Sequence, residues 1–375
     1  MERLKSPRGY LNAGYPRYNT LFGRDSLISA WQMLEIDPSI ARATLQILAK
    51  YQGKAVNPRA EEELGKILHE YRFSLEEQAE LPHWDFPYYG SVDSTPLFII
   101  LAGRYFRRTG DKTFLLEIWD NIVAAFNWIR DYGDKDGDGY VEYERRNPHG
   151  LFHQGWRDGA EDHLKIQPPV AIVEAQGYVH AAYQGLVFLA EELGKNDISG
   201  EASEGSEVLR RRFNEDFWME RENYFALALD GGKRQREAIT SNPGHLLFTG
   251  IVAQDKIKPL ISRLFQPDLW TPYGIRNHSS ENPDFDPYSY QLGSVWPYDN
   301  WIIYTGLRDL GFDRHADQIK KGLLRAYREL GHIPELYVVV DDKIVDLSAS
   351  PMRGTSANPL QACASAGLLE MIWND

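Results

Sequence analysis

The sequence predicts an all-α fold, an (α/α)6 toroid with short β-hairpins in its loops. Three observations point there. Apolar residues recur at helical spacing along most of the chain. The connections between helical stretches alternate between tight turns and long loops. Helices that follow a long loop begin six times, near residues 25, 94, 170, 242, 294 and 358, a degenerate repeat of helical hairpins.

Taken in order, Leu27, Ile28, Trp31 and Leu34 begin the first amphipathic stretch. Pro38, suited to a first helical turn, opens the second, which runs through Ala49. Further helices are expected over 94–109, 111–132, 170–195, 203–218, 242–250, 253–264, 294–310, 312–330 and 358–373. The tight turns are Ile36-Asp37-Pro38, Thr109-Gly110-Asp111, Gly250–Ala253 and Leu310-Gly311-Phe312-Asp313. The long loops span 53–93, 133–169, 219–241, 265–293 and 331–357, with hairpins expected at Tyr224–Leu229 and Tyr337–Val340. Six hairpins closed in a ring have parallel inner helices, so the long loops gather at one end as a funnel. Eleven helices are legible rather than twelve. The missing one is an outer helix preceding Arg24, with residues 1–15 a poor substitute. Residues 1–375 read as one domain, and Asp197-Ile198-Ser199-Gly200-Glu201 as a surface turn between paired helices.

Composition narrows the function. The net charge of −13 opposes a nucleic-acid partner, and no basic stripe offsets it. The longest apolar run, near Leu97–Ala102, is too short to span a bilayer. A single cysteine, Cys363, allows no intrachain disulfide, and the first residues have no signal-peptide core, so a cytoplasmic location is expected. Aromatic residues reach 13%, many beside Gly, Pro and carboxylates in the loops. Aromatic faces stack on sugar C–H faces, so the set points to a carbohydrate site. No phosphate-binding Gly-rich loop, HExxH, GxSxG or paired CxxC is present. Asp134-Lys135-Asp136-Gly137-Asp138-Gly139 has the start of a calcium loop, but its twelfth position is Arg145, and a Gly-Asp turn is expected instead. No metal or cofactor is expected.

Polar-aromatic clusters fall where the funnel should be. Asp25, Asp93 and Ser294 each stand where a helix N-cap belongs. Capping does not explain why Trp, Tyr, Arg and carboxylates recur at one end of the ring.

The chain resembles the glucosidase part of bacterial glycogen-debranching enzymes, the amylo-α-1,6-glucosidases. It is more distantly similar to glucoamylases and trehalases on the same toroid. The resemblance runs from about Tyr15 to the C-terminus. Its carriers are TLFGRDSLI (20–28), GKILHEYR (65–72), YYGSVDSTPLF (88–98), DGDGYVEY (136–143), GLFHQGWRDG (150–159), EAQGY (174–178), GSVWPYDN (293–300) and PELY (334–337).

The resemblance implies inverting hydrolysis of α-glucosides, with Asp158 as general acid and Glu335 as general base. An apolar wall from Trp156 would help keep Asp158 protonated. Arg24 and Asp25 match the pair that binds hydroxyls of the terminal glucose. Glu70, Arg72, Asp93, Trp156, Glu174, Gln176, Trp296 and Asn300 are expected in the pocket. Asp93, then Glu174, is the rival acid.

Departures from the family pattern at Tyr290-Gln291-Leu292, Tyr298 and Pro359-Leu360-Gln361-Ala362-Cys363 fall on the leaving-group side. The main expectation from the resemblance is a debranching α-1,6-glucosidase acting on an α-glucoside or glucan. The alternatives are an α-glucosidase for a small glucoside, either a disaccharide or a glucosyl-acid, and a non-catalytic carbohydrate-binding module. An incomplete ring would expose apolar surface and favour self-association.

Overall fold

The computed structural model describes residues 1–373. Ten helices of the expected hairpins are α1 (Gly23–Gln32), α2 (Pro38–Lys50), α3 (Ser94–Thr109), α4 (Trp119–Trp128), α5 (Val173–Leu193), α6 (Asn196–Asp216), α7 (Gln254–Leu264), α8 (Pro297–Asp309), α9 (Asp313–Leu330) and α10 (Ala362–Trp373). A 3-10 helix, Asn242–Phe248, takes the fourth inner place. The inner ring closes: α1 packs on α3, α3 on α5, α5 on the 3-10 helix, that helix on α8, α8 on α10, and α10 back on α1. The helical toroid is therefore the observed fold.

Burial explains which helices lie inside. Residues 94–103 of α3 and 297–304 of α8 are buried on every side. The outer helix α9 buries little beyond Ala316, Ile319, Leu323 and Ala326 and turns a charged face to water. Gly306 lets α8 approach its neighbour, since a Cβ there would lie 2.5 Å from the Leu247 Cβ. Asp37 caps α2 by accepting from the Ser39 N–H at 3.1 Å, with Pro38 at the first position.

Several boundaries differ from the sequence reading. The helix expected over 111–132 is broken into Lys112–Glu117, α4 and a π-helical turn at Ile129–Gly133. Residues 197–201, expected as a turn, lie in a helix that begins at Asn196. Gly194 in the left-handed conformation ends α5, and the chain re-enters helix at once. Gly200 faces open space there. The long loop 53–93 carries an unexpected short helix, Leu75–Ala79, closed by a capping box between Ser74 and Glu77.

Among the described residues, no outer helix fills the place between α10 and α1. Residues 1–15 supply a 3-10 turn at Glu2–Leu4 and a strand at Gly14–Tyr15. No helix of the described residues is long and apolar enough to cross a membrane.

One device recurs at the funnel. A two-residue strand stands directly before an inner helix and pairs with a neighbouring loop. Leu21–Phe22 pairs with Glu70–Tyr71 before α1. Ala171–Ile172 pairs with Ala228–Leu229 before α5, and Leu360–Gln361 with Gly14–Tyr15 before α10. Val295 bridges both Arg276 and Tyr337 before α8. These pairings fix the first turns of the inner helices, from which much of the site projects.

Candidate active site

A cavity of about 270 Å³ opens at this end of the ring. Arg24, in the first turn of α1, lines it. Its Nη1 donates to Asp93 Oδ2 at 2.9 Å and to the Gly155 carbonyl at 3.0 Å. Its Nη2 donates to Asp158. Asp25 follows one residue on and accepts from Gln361 Nε2 at 2.9 Å. Burial raises the Asp25 carboxyl above its ordinary range, against the pull of Arg24. Asp25 is not an N-cap, because α1 begins at Gly23. Asp93 does occupy a cap position but makes no capping bond; it accepts from Arg24 and from Ser91 Oγ at 2.7 Å.

Asp158 lies on the 150–159 loop, pinched by the His153–Gly159 bridge. Its partner is neither Arg157 nor a helix end. Arg157 turns away into the core, onto Asn242, His278 and the Gln291 carbonyl. The apolar wall expected beside Asp158 is present in part: Trp156 lines the cavity, but Arg24 holds the carboxylate directly.

Glu335 is 4% exposed. The Tyr290 hydroxyl donates to Oε1 at 2.5 Å and the Asn358 N–H to Oε2 at 2.8 Å. Burial pushes its pKa up to about 7; the two hydrogen bonds oppose this, and the Asp25 and Asp158 charges add to it. Tyr18 also lines the cavity; burial raises its phenol, and the Glu335 and Asp158 charges add to the effect. His69, beside Arg24 on the wall, is buried and lowered to about 3, first by burial and then by Arg24, so its ring is neutral.

Eight of the twelve expected site residues line the cavity: Arg24, Asp25, Glu70, Arg72, Trp156, Asp158, Trp296 and Glu335. The other four do not. Asp93 is sealed behind Arg24, which leaves it no access as an acid. Glu174 is fully buried and accepts from Asn242 Nδ2 at 2.9 Å. Gln176 exchanges bonds with the Val141 backbone, and Asn300 with that of Ile275. These two hold loops in register because their amides can satisfy a peptide's donor and acceptor together.

Residues missed by the sequence reading also line the wall, notably Tyr18, Trp84, Gln291 and Gln361. Both amide atoms of Gln291 and the Trp156 Nε1 are buried without a protein partner among the described residues, ready for ligand hydroxyls. Gln361 could have been found, since it sits in the Pro359–Cys363 motif; Tyr18 left no local signal.

The Asp134 loop folds into a real cluster. Asp134, Asp136, Asp138 and Glu142 converge closely enough to hold a cation. Asp134 is turned onto the backbone N–H groups of Gly137, Asp138 and Gly139. The Lys233 ammonium sits among the other three, at 2.7, 2.6 and 2.5 Å from Asp136, Asp138 and Glu142.

A closed ring of inner helices whose loops converge on an acid-rich, aromatic-walled cavity fits one class, the six-hairpin glycoside hydrolases, and a family model agrees. The model of the mannosylglycerate hydrolase MGH1-like glycoside hydrolase domain matches residues 18–338, and the chain belongs to that family. The motif resemblance to debranching enzymes thus holds for the fold and for glycoside hydrolysis; the matching family is a different one.

The chain is similar to the GH63 mannosylglycerate hydrolase of Thermus thermophilus. Against its glucose complex the TM-score is 0.72 at 16% identity, covering 100% of this chain and 98% of that one. Against its complex with Tris and D-glycerate the values are 0.70 and 18%, with the same coverage. An uncharacterized conserved protein of the same organism gives 0.72 at 17% identity, covering 100% and 97%. No curated protein matches the chain.

Proposed function

We propose that the chain is an inverting hydrolase of small α-linked glycosides, with Asp158 as general acid and Glu335 as general base. The observation that carries this reading is Glu335 itself. A carboxylate buried at a cavity, held at both oxygens and raised to about 7, is poised to take a proton near neutral pH.

In this reading a hexose enters the cavity with its hydroxyls on Arg24, Asp25 and Gln291. Aromatic faces from Trp156 and Trp296 flank the ring. Glu335 takes a proton from a water whose oxygen attacks the anomeric carbon. The glycosidic C–O bond breaks, and its oxygen receives the Asp158 proton. In inverting enzymes the two carboxyls stand roughly 6.5–9.5 Å apart, which leaves room for that water. Sugar hydroxyls that engage Arg24 loosen its hold on Asp158.

A small substrate is favoured over a branched glucan by the family, whose name is drawn from a mannosylglycerate hydrolase, and by the modest cavity. Residues 1–375 act as one catalytic domain in this reading, since Gly14–Tyr15 is paired with Leu360–Gln361 across the whole chain.

Proton NMR on a panel of maltose, isomaltose, trehalose, branched dextrin and glucosyl- and mannosyl-glycerates tests the proposal. A β-hexose should appear first from a small substrate. An α-hexose as first product would overturn inversion, and activity confined to dextrin would overturn the small-substrate reading.

A further inference from the structure

Arg157 stands between Trp156 and Asp158 in sequence, yet its side chain leaves the cavity. It is 1% exposed, and its hydrogen-bond partners include no carboxylate. A buried cation without an ion pair is costly, and the chemistry described above makes no use of it. We infer that Arg157 is a strut between the Asp158 loop and the segment that supports Glu335, and that His278 holds it in place. The inference rests on the roles given above to Asp158 and Glu335.

The strut has two ends. At one, the backbone runs from Arg157 directly into Asp158. At the other, Nη2 donates to the Gln291 carbonyl. Gln291 lines the cavity, and its neighbour Tyr290 donates its hydroxyl to Glu335 at 2.5 Å. The Tyr290 carbonyl accepts from Ser294 Oγ at 2.9 Å and Trp296 Nε1 at 3.1 Å, both from the same stretch of chain. Arg157, 134 residues from Gln291, ties that stretch to the loop of the proposed acid. Neither Arg157 nor His278 lines the cavity, so both are positioning residues.

His278, itself 1% exposed, fixes where the guanidinium points. Arginine carries donors only, so the 3.3 Å contact from Nη2 makes His278 Nδ1 an acceptor. The proton of the neutral ring then sits on Nε2, which donates to Asp284 Oδ1 at 2.8 Å. Asp284 Oδ2 accepts in turn from Arg236 Nη2 at 3.1 Å. Burial, then the Arg157 charge, lowers the imidazole to about 4, so Nδ1 keeps its lone pair at neutral pH. On the other side, Asn242 Oδ1 accepts from Nη1 at 3.3 Å. Burial lowers Arg157 to about 10, against the Glu174, Asp299 and Asp284 charges, so it stays a cation. A planar fork that meets three acceptors is fixed in direction as well as in place.

The two ring nitrogens can be replaced one at a time. His278→Asn sets an amide oxygen near the position of Nδ1 and leaves Asp284 without that donor. His278→Gln sets an amide near the position of Nε2 and leaves Arg157 without that acceptor. Crystal structures and steady-state kinetics on the best small glycoside would compare the two. His278→Gln should lose at least tenfold in kcat, with the Tyr290-Gln291 peptide displaced. His278→Asn should stay within threefold of wild type, with that peptide in place. Arg157→Lys, which keeps the charge but not the fork, should reproduce the loss seen in His278→Gln. A role confined to the Asp284 bond predicts the opposite order, since Asn loses that bond and Gln keeps it. The opposite order, equal losses, or normal turnover in Arg157→Lys would overturn the inference and leave the glycosidase reading intact. Inertness of the wild type on every small glycoside would remove that reading alone. An unmoved peptide in His278→Gln would then still overturn the strut, and a displaced one would support it.

Discussion

The Tyr290 hydroxyl donates to Glu335 Oε1 at 2.5 Å, while the backbone of Asn358 holds the other oxygen. A donor to the ionised carboxylate lowers its pKa, and burial raises it further than both donors lower it. The protonation of Glu335 is therefore a balance that can be shifted from either side.

The pH profile reports that balance. With Glu335 as base, kcat/KM should rise with pH and level off above about 7. Tyr290→Phe removes a donor that favours the charged form, so the acid limb should move to higher pH. A limb that stays in place in the variant would show that Glu335 does not set it.

Stability should carry the same signature with the opposite slope. A carboxyl raised from 4.5 to about 7 binds its proton more tightly when folded. Its contribution is full below pH 4.5 and is lost as pH rises to about 7. The loss is about 3 kcal/mol at the limit set by the shift. Glu335→Gln cannot ionise, so its stability relative to wild type should improve between about pH 5 and pH 8. Urea unfolding at the two pH values checks this; a constant difference would refute it. The same variant, like Asp158→Asn, should lose at least about a hundredfold in kcat.

Asp93 should matter as much as a residue that touches substrate, although it lies behind the wall. It is fully buried against Arg24. Breaking a buried pair from one side leaves an uncompensated charge, at about 3–5 kcal/mol. Asp93→Ala should show that loss in denaturant unfolding, with weakened substrate binding as Arg24 shifts. Normal stability with normal KM would remove the role assigned to the pair.

Lys233 should be the counter-charge of the acidic loop. Its ammonium contacts Asp136, Asp138 and Glu142, and the Glu142 side chain is fully buried. Lys233→Met leaves that carboxylate without its cation, a loss on the order of 2 kcal/mol at neutral pH. Burial already raises Glu142. The deficit should therefore shrink as pH falls and Glu142 takes up a proton. A deficit that is the same at about pH 5 and pH 8 would argue for lost packing instead.

The fold was largely legible because its signals are local. Pro38, Gly110 and Gly331 mark helix ends through their own backbone geometry, and α9 shows its buried stripe in four residues. The fourth inner helix is the exception. Asn242–Phe248 reads as helical, but it forms a 3-10 helix that opens on Asn242-Pro243-Gly244. The candidate site was legible where a motif places side chains on one loop or first turn, as with Arg24, Asp25, Trp156 and Asp158. Asp93 stands behind Arg24 rather than on the cavity wall, and the reading also failed at Glu174, Gln176 and Asn300. Their motifs look the same, but Glu174 is taken up by the Asn242 amide and the other two by backbone partners.

The sequence by itself determined the ring of hairpins, the end at which the loops gather and the carboxylates offered there. Periodicity and turn chemistry act over a few residues, so they can be read without a partner. Only the tertiary structure decided what each carboxylate meets. Arg24 meets Asp93 and Asp158 from 69 and 134 residues away, and Tyr290 meets Glu335 across 45. Charge state depends on burial and on such distant neighbours, and neither exists until the ring has closed.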